Sequence, residues 1–246
     1  MMPTCLITGS AGKLGTALCR SLADTHRIVA LYHKKLPGFP SQLRHPIDLE
    51  SGRGKWESDD LPFCVQGDLT RSEDVRRIVE VTLARFGRVD VLINSAADTR
   101  FHGNLLELSY GSTEVQNQLL TNCIAPMQLV SAVFEESWKH ERTANQAFNR
   151  CVINISSVSG LYVYRGAGQA FYSASKAALN FLTRHLAAEL AHYCVRANAI
   201  CPSRFPDSVP TERVVSKIKD VIASQVTGEV IEVLSGSETP PVTETR

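Results

Sequence analysis

The chain has 246 residues, with 26 Lys and Arg against 25 Asp and Glu, and its net charge at pH 7 is +1 with neutral His. This balance gives no overall field that would favour nucleic acid or an anionic membrane as a partner. No apolar run approaches the ~18 residues of a membrane span, and no signal-peptide pattern precedes the first predicted strand, so we expect a cytoplasmic protein.

Short apolar runs alternate with helical patterns along the first half of the chain. The runs TCLITG, RIVALYH, PFCVQGD and VDVLINSA predict four buried strands. Between them, GTALCRSLADTH and SEDVRRIVEVTLARFG predict helices, the second with Ser72 as its N-cap and Gly87 as its C-cap. Residues 36–60 are rich in Pro, Gly and charge, which predicts an irregular excursion.

The second half continues the same alternation. A long helix is predicted around EVQNQLLTNCIAPMQLVSAVFEESW, then a strand at CVINISS, a helix at FYSASKAALNFLTRHLAAELAHY, and strands at VRANAICP and GEVIEVLSG. Continuous apolar strands alternating with helices favour a parallel sheet covered on both faces. We therefore predict one α/β domain over residues 1–246, with a polar tail at about 237–246.

Seven cysteines occur at irregular spacings without a Cys-x-x-Cys pair. Most of them lie in apolar surroundings, so we expect reduced, buried thiols. Seven histidines are scattered without a His/Cys/Asp cluster at ligand spacing, and we expect no metal site.

A glycine-rich loop, TGSAGKLG at residues 8–15, follows the first strand and opens the first helix. Gly9, Gly12 and Gly15 leave room for the backbone to approach a phosphate, and the helix N-terminus offers free N–H groups and the positive end of its dipole. Strand, glycine turn and helix in this order predict a dinucleotide pyrophosphate site rather than a turn without a ligand.

The end of the second strand is basic where a site selective for NAD usually offers an acid to the ribose hydroxyls. The residues there are Tyr32, His33, Lys34 and Lys35, and Lys13 in the glycine loop adds another cation. A 2′-phosphate is attracted by such charges, whereas a carboxylate would repel it. Each lysine alone is typical of a solvated surface; together they favour NADP(H) over NAD.

Ordered motifs extend along residues 4–236: TGSAGKLG, GDLT at 67–70, INSAA at 93–97, Asn122 in LLTNCIAP, INISSVSG at 153–160, YSASK at 172–176, RANAICP at 196–202 and VTGEVIEVLSG at 226–236. Taken together and in this order, they resemble the short-chain dehydrogenase/reductase family. The resemblance implies a Rossmann-type, doubly wound, parallel seven-stranded sheet with helices on both faces.

The resemblance also implies the site residues. Asn122, Ser157, Tyr172 and Lys176 match the catalytic tetrad of the family. Asp68 is expected near the adenine, and the segment after Pro202 near the nicotinamide amide. The full set of expected cofactor-binding residues is Gly9, Gly12, Lys13, Leu14, Gly15, His33, Lys34, Lys35, Asp68, Leu69, Asn94, Ala96, Tyr172, Lys176 and Pro202.

Tyr172 and Lys176 lie one helical turn apart, on the same helix face. A free tyrosine has a pKa of ~10, and a nearby cation lowers that pKa. We therefore expect Lys176 to make Tyr172 a usable proton donor to a carbonyl oxygen, with the Ser157 hydroxyl as a second hydrogen-bond donor. An isolated Tyr-x-x-x-Lys would indicate only an amphipathic helix; the accompanying motifs favour catalysis.

Two of the four tetrad positions leave alternatives open. The interval from Ser157 to Tyr172 is 15 residues, longer than usual in the family, so Ser159 is the alternative hydroxyl donor. For Asn122 the resemblance implies a residue that stabilises a helix kink and holds a water linked to Lys176. The alternative for Asn122 is a polar residue that faces solvent.

The connection before the last strand is short, since Pro202 and Thr227 are 25 residues apart. It has room for one helix at about 213–224. The helical pair that covers substrate in the family is therefore expected to be absent. The loop SRFPDSVP remains, and we expect an open cleft, with the C-terminal tail as a partial cover and residues 36–60 as the other candidate.

These observations predict an NADPH-dependent reductase that transfers a hydride to a carbonyl or imine carbon of a small organic substrate, with Tyr172 as proton donor. Two alternatives remain: a pteridine reductase, because the basic residue in the glycine loop resembles that branch, and a catalytically idle NADP(H)-binding sensor or scaffold. The helices around 114–138 and 171–193 have apolar residues on more than one face, which predicts a homodimer or homotetramer.

Overall fold

In the structure, a computed structural model, residues 2–42, 61–100, 103, 105–107, 113–164 and 167–235 are described. Seven parallel strands form one sheet in the order β3-β2-β1-β4-β5-β6-β7. The strands are β1 (Thr4–Ile7), β2 (Arg27–Tyr32), β3 (Phe63–Gln66), β4 (Val91–Asn94), β5 (Cys151–Ile155), β6 (Arg196–Pro202) and β7 (Val230–Val233). The predicted doubly wound sheet is confirmed.

Helices connect the strands and cover both faces of the sheet. They are α1 (Lys13–Leu22), α2 (Ser72–Phe86), α3 (Thr113–Leu119), α4 (Ala125–Val133), α5 (Arg142–Ala147), α6 (Ala170–Ala191) and α7 (Thr211–Ala223). Short 3₁₀ turns occupy Leu105–Glu107 and Val158–Gly160.

Successive residues of each strand enter two separate cores, because side chains alternate across a sheet. Cys5 and Ile7 pack on the face covered by α1 and α7, whereas Leu6 packs on the face covered by α2, α4 and α6. Strands buried on both faces read as continuous apolar runs, and this is why the sequence pattern revealed them.

Two predicted helix features differ from the structure. The long helix predicted around 114–138 is interrupted by π-helical segments at Leu120–Ile124 and Phe134–Trp138. Ser72 is the first residue of α2 rather than its N-cap; Arg71 takes the cap position without a side-chain bond. The C-cap prediction is confirmed, since Gly87 has φ 71° and its N–H donates to the Leu83 carbonyl.

The connection from β6 to α7 consists of residues 203–210, which form turns. In residues 203–229, all of which the structure describes, α7 is the one helix between β6 and β7, so the predicted shortening of the substrate lid is observed. The helix predicted at about 213–224 begins slightly earlier, at Thr211. Residues 43–60 and 236–246, which include most of the excursion and the tail, lie outside the described residues.

Arg196, at the start of β6, holds the end of α7 and the segment that follows it. Its guanidinium donates to the carbonyl oxygens of Val221, Ile222 and Val226, and also to Asn149 through both the backbone and the side chain. The last carbonyls of a helix have no partner within the helix. Arg196 therefore caps α7 and holds it against the sheet.

The described cysteines are free thiols; six are buried and Cys194 is partly exposed. Buried reduced thiols were expected. Among the described residues, no group of three or more His, Cys, Asp or Glu has the arrangement of a metal site. In the same part of the chain, no helix has the length and apolar character needed to cross a membrane.

Candidate active site

A cleft of about 1530 Å³ lies at the carboxyl ends of the strands. Ligands of open α/β sheets bind at this edge. Most predicted site residues line it: Gly9, Gly12, Lys13, Leu14, Gly15, His33, Lys34, Asp68, Leu69, Ala96, Ser157, Tyr172, Lys176 and Pro202. Lys35, Asn94 and Asn122 are not among the lining residues.

The glycine loop joins β1 to α1, and its glycines serve different purposes. A Cβ on Gly15 would lie 2.3 Å from the Gly9 carbonyl oxygen, and a Cβ on Gly9 would lie 2.8 Å from the backbone of Ala96. These two glycines are therefore required by packing. Gly12 is the N-cap of α1, is exposed, and provides no side chain to cap the helix. The first N–H groups of α1 thus remain available to a phosphate.

The ends of β2 and β3 form the other side of this part of the cleft. β2 pairs with β1 in the sheet, so His33 and Lys34 lie beside the glycine loop and its Lys13. Lys13 and Lys34 form no ion pair with any described residue. The carboxylate of Asp68 lies 3.4 Å from His33 Nε2.

Asp68 is held in its ionised form. Its burial alone would raise its pKa, but hydrogen bonds from the Thr70 hydroxyl and N–H, with the nearby His33 and Arg71, keep the pKa below its ordinary value. In the described part of the chain, this end of the cleft therefore contains one fixed carboxylate facing His33 and two lysines without acidic partners.

The predicted catalytic side chains meet where β5 ends against α6. Ser157 follows β5, and its hydroxyl is hydrogen-bonded to the Tyr172 side chain. Lys176 is 2% exposed; its Nζ donates to the Ile155 carbonyl at 2.8 Å and lies 5.8 Å from the centre of the Tyr172 ring. The Ser159 N–H donates to the Ser157 Oγ, so the geometry favours Ser157 over Ser159 as the hydroxyl beside the tyrosine.

The pKa of Tyr172 differs from the expectation that Lys176 would lower it. Burial raises the pKa of Tyr172, and the hydrogen bond with Ser157 offsets this only in part. Burial also lowers the pKa of Lys176 to about 8. In the protein alone, burial therefore outweighs the expected effect of the lysine on the tyrosine, because the ammonium group points to the Ile155 carbonyl.

Asn122 lies in the first π-helical segment and is fully buried, so the solvent-facing alternative is wrong. Its Oδ1 accepts from the Asp98 N–H at 2.6 Å, and its Nδ2 donates to the Asp98 carbonyl and to the Ser175 hydroxyl. Ser175 in turn donates to the Tyr172 carbonyl. Asn122 thus ties the segment after β4 to the catalytic helix; its predicted water-holding role stays a prediction.

Asn94 and Lys35 also differ from the other expected residues. Asn94 is buried at the end of β4, and its Nδ2 donates to Asn154 Oδ1 across the sheet. Its side chain thus holds two strands together. Lys35 is exposed, one residue beyond the part of the β2 loop that lines the cleft.

Several contributors to the site were missed in the sequence. A Cβ on Gly160 would lie 2.6 Å from the Lys176 backbone, so this glycine allows α6 to approach β5. Thr8 Oγ1 accepts from the N–H groups of Ser95 and Ala96 and fixes the loop after β4. Arg100 and Arg204 line the cleft. Their only signal in the sequence is a position shortly after a strand end.

The residues present fit a nicotinamide dinucleotide. The uncapped start of α1 and the nearby lysines suit phosphates, while Ser157, Tyr172 and Lys176 stand at the opposite side of one continuous cleft.

Comparison with known proteins agrees with this geometry. The family model described as short chain dehydrogenase matches residues 3–220. Nodulation protein G of Azospirillum brasilense is 32% identical, over 94% of this chain and 96% of its own. Acetoacetyl-CoA reductase of an Acinetobacter species is 31% identical, over 89% of this chain and 79% of its own. The 3-oxoacyl-acyl-carrier-protein reductase of Thermotoga maritima is 27% identical, over 90% and 81%.

A solved structure of 4-hydroxyisoleucine dehydrogenase, complexed with NADH and succinate, superimposes with a TM-score of 0.72. It is 25% identical and covers 94% of this chain and 98% of that one. The neighbour's NADH and the family match together indicate a nicotinamide cofactor.

Proposed function

Because the chain belongs to the short-chain dehydrogenase family, an oxidoreductase family that acts on hydroxyl and carbonyl groups, we propose that it is an NADPH-dependent reductase of a carbonyl or imine carbon. The observation that carries the proposal is the contact between Ser157 and Tyr172 above the buried Lys176, inside the cleft that begins at the glycine loop. The reductase names of two relatives are consistent with it.

Tyr172 is the proton donor in this proposal. Its raised pKa keeps the phenol protonated at neutral pH, which suits protonation of a carbonyl oxygen in the direction of reduction. Ser157 donates a second hydrogen bond to the same oxygen as negative charge develops on it. When bound, the reduced nicotinamide supplies the hydride.

Lys176 contributes positive charge near the phenol as Tyr172 gives up its proton. Among the described residues its Nζ has one hydrogen-bond partner, the Ile155 carbonyl, and an ammonium group has three donors. The remaining donors are available for the nicotinamide ribose, the role that the family resemblance implies. We therefore expect Lys176→Ala to weaken both turnover and cofactor binding.

The preference for NADPH rests on Lys13 and Lys34. Neither has an acidic partner among the described residues, and the one carboxylate nearby, Asp68, faces His33. A charge-assisted hydrogen bond to the 2′-phosphate contributes about 1.5–3 kcal/mol. The related dehydrogenase structure contains NADH, so the test compares the affinities for both cofactors.

The test combines binding with turnover. NADPH and NADH affinities are measured by cofactor fluorescence, and cofactor oxidation is followed over a panel of aldehydes, ketones and imines that includes dihydrobiopterin. Lys13→Ala and Lys34→Ala should each reduce the ratio of NADPH affinity to NADH affinity about tenfold or more. Lys219→Ala, an exposed lysine on α7 away from the cleft, is the matched control. Unchanged ratios in both cleft variants would refute the preference.

Tyr172→Phe distinguishes an enzyme from an idle binding protein. The ring remains and only the proton carrier is lost, so turnover should disappear while NADPH affinity stays nearly unchanged. A Tyr172→Phe variant with near-normal kcat would remove the mechanism. NADPH binding without turnover of any panel member would favour the sensor or scaffold, and turnover of dihydrobiopterin alone would favour a pteridine reductase.

A further inference from the structure

The described residues that line the cleft include more cations than anions. They comprise three lysines, two arginines and two aspartates. Lys13 and Lys34 lie at the end assigned to the 2′-phosphate, and Lys176 is catalytic. Two arginines, Arg100 and Arg204, remain without a role in the proposed function.

The sheet order places these two arginines around the catalytic serine. β4 and β6 are the two neighbours of β5, whose end bears Ser157. Arg100 belongs to the segment after β4, and Arg204 to the turn after β6. Since adjacent strands are about 4.8 Å apart, both loops begin within about 5 Å of the β5 end, one on each side. The loop after β4 begins beside β1, whose loop would hold the pyrophosphate, whereas the turn after β6 begins on the far side of β5 from it.

Gly103, three residues after Arg100 in the chain, lies beside the start of the catalytic helix. Gly103 forms a parallel bridge with Gln169, and its N–H donates to the Gly168 carbonyl at 2.8 Å. Gln169 is three residues before Tyr172 and also lines the cleft. Arg100 thus lies between the end of β4 and a contact adjacent to the catalytic tyrosine.

Arg100 is oriented by a chain of hydrogen bonds. Its Nε and Nη2 donate to the two carboxylate oxygens of Asp98 at 3.0 and 2.5 Å, and the backbone at Asp98 is held by Asn122 and Gln118. The Arg100 side chain is nevertheless 81% exposed. A guanidinium has five N–H donors, and three of those of Arg100 have no partner among the described residues.

Arg204 is exposed and forms no ion pair with any described residue. Its backbone has φ 23°, in the left-handed region that costs a non-glycine residue energy. The turn that holds it, residues 203–210, replaces the longer connection with a helical pair that the family resemblance implied. Arg204 therefore stands on a short turn at the cleft, in the place of the helical pair whose absence the sequence predicted.

We propose that the substrate is an anion, an oxo compound whose carboxylate or phosphate group is bound by Arg204 and Arg100 while its carbonyl group faces Ser157 and Tyr172. This proposal rests on the proposed reductase function and specifies its substrate class. Guanidinium groups match the planar, two-oxygen geometry of carboxylate and phosphate, which is why they are suited to this recognition.

The test of turnover uses matched substrates with NADPH present. A series of 2-, 3- and 4-oxo carboxylates is compared with the corresponding methyl esters and with oxoalkyl phosphates. We expect kcat/KM for at least one anion to exceed that of its neutral ester tenfold or more. Arg204→Gln and Arg100→Gln should remove this difference by raising KM for the anion about tenfold, with the ester unaffected. The phosphate and carboxylate arms identify which anion is preferred.

A binding test separates this proposal from the proposed function. Butanoate and butanamide have similar shapes and differ in charge, so their binding to the NADPH-loaded protein is compared by calorimetry in wild type, Arg204→Gln, Arg100→Gln and the exposed control Arg20→Gln. Butanoate binding that is lost only in the two cleft variants supports the anion site even if no substrate turns over, and then only the reductase proposal fails.

Three results would overturn the anion site: equal kcat/KM for acids and esters, equal binding of butanoate and butanamide, or arginine variants that weaken NADPH binding and leave the ratio of anion to ester unchanged. The last result would assign the arginines to the cofactor.

Discussion

Lys176 has the most perturbed protonation among the proposed catalytic side chains. Its pKa is lowered by burial to about 8, from an ordinary value of 10.5. The folded protein therefore binds this proton less tightly than the unfolded chain does. Between the two pKa values the unfolded chain holds more protons, so stability rises as pH rises through that window.

We expect the wild type to gain stability relative to Lys176→Met as pH increases from 8 to 10.5. The shift corresponds to a gain of about 3 kcal/mol at most. Urea unfolding of both proteins at several pH values measures the difference. Parallel stability curves over this range would show that folding does not lower the pKa of Lys176.

Ser157 and Ser159 are separated by substitution. Ser157→Ala should lower kcat about 10²–10³-fold, the usual effect of removing one hydrogen-bond donor to a developing oxyanion. Ser159→Ala should have a smaller effect, because the Ser159 backbone N–H, which the substitution keeps, is what contacts Ser157. Steady-state kinetics on the substrate found in the panel measures both. A larger loss in Ser159→Ala would reverse the assignment.

At the scale of secondary-structure elements, the end of α7 and its connection to β7 depend on one side chain. Arg196 is buried and donates to carbonyl oxygens at the end of α7 and just after it. Its loss would remove the five hydrogen bonds that one buried guanidinium makes. The carbonyls of Val221, Ile222 and Val226 would each keep one other side-chain donor. Several buried hydrogen bonds lost together cost more than one exposed hydrogen bond.

Arg196→Met should therefore destabilise the protein by about 3 kcal/mol, measured as the free energy of unfolding in urea. Arg142 provides the matched control, since it donates a single exposed hydrogen bond to the His192 carbonyl. Arg142→Met should change stability by less than about 1 kcal/mol. Similar losses in the two variants would show that the α7 cap contributes little.

The regular elements were predictable because their causes are local. Apolar runs and helical periodicity identified all seven strands, and Gly87 marked the end of α2. The first π-helical segment was not predictable from local patterns, because Asn122 within it bonds Asp98 and Ser175, far away in the sequence; only the family resemblance implied a kink there. The same holds for Arg100 and Arg204, whose position at the cleft is set by strand order.

The pKa of Tyr172 shows a second limit of local reasoning. Helical spacing placed Lys176 on the same face, and a cation on that face predicted a lowered pKa. The structure shows a raised pKa, because burial of the phenol dominates. Spacing along a helix predicts which side chains are neighbours, but the burial of those side chains depends on the packing of the rest of the fold.

At the scale of the whole molecule, part of the apolar surface is uncovered. Phe181 on α6 is 61% exposed and Ile124, in the π-helical segment packed beside α6, is 44% exposed. The resemblance to the family implies association through these helices. We expect a homodimer or homotetramer that buries both side chains.

Light scattering at micromolar concentration measures the assembly directly. Phe181→Asp should shift the protein towards smaller species, because a carboxylate would be buried without a partner. Val226→Glu, a substitution at another partly exposed apolar residue, should leave the assembly unchanged. A monomeric wild type would refute the expectation.

The buried thiols can be used as internal probes of local and global unfolding. Burial raises the pKa of Cys19 to about 12, and the pKa of Cys151 and Cys201 to about 11, so that their reactive thiolates are scarce as well as inaccessible. A thiol reagent should label Cys194 quickly and these three only during local or global unfolding. Their labelling rates, resolved by peptide mass spectrometry, would report separately on α1, on the centre of the sheet and on the floor of the active site.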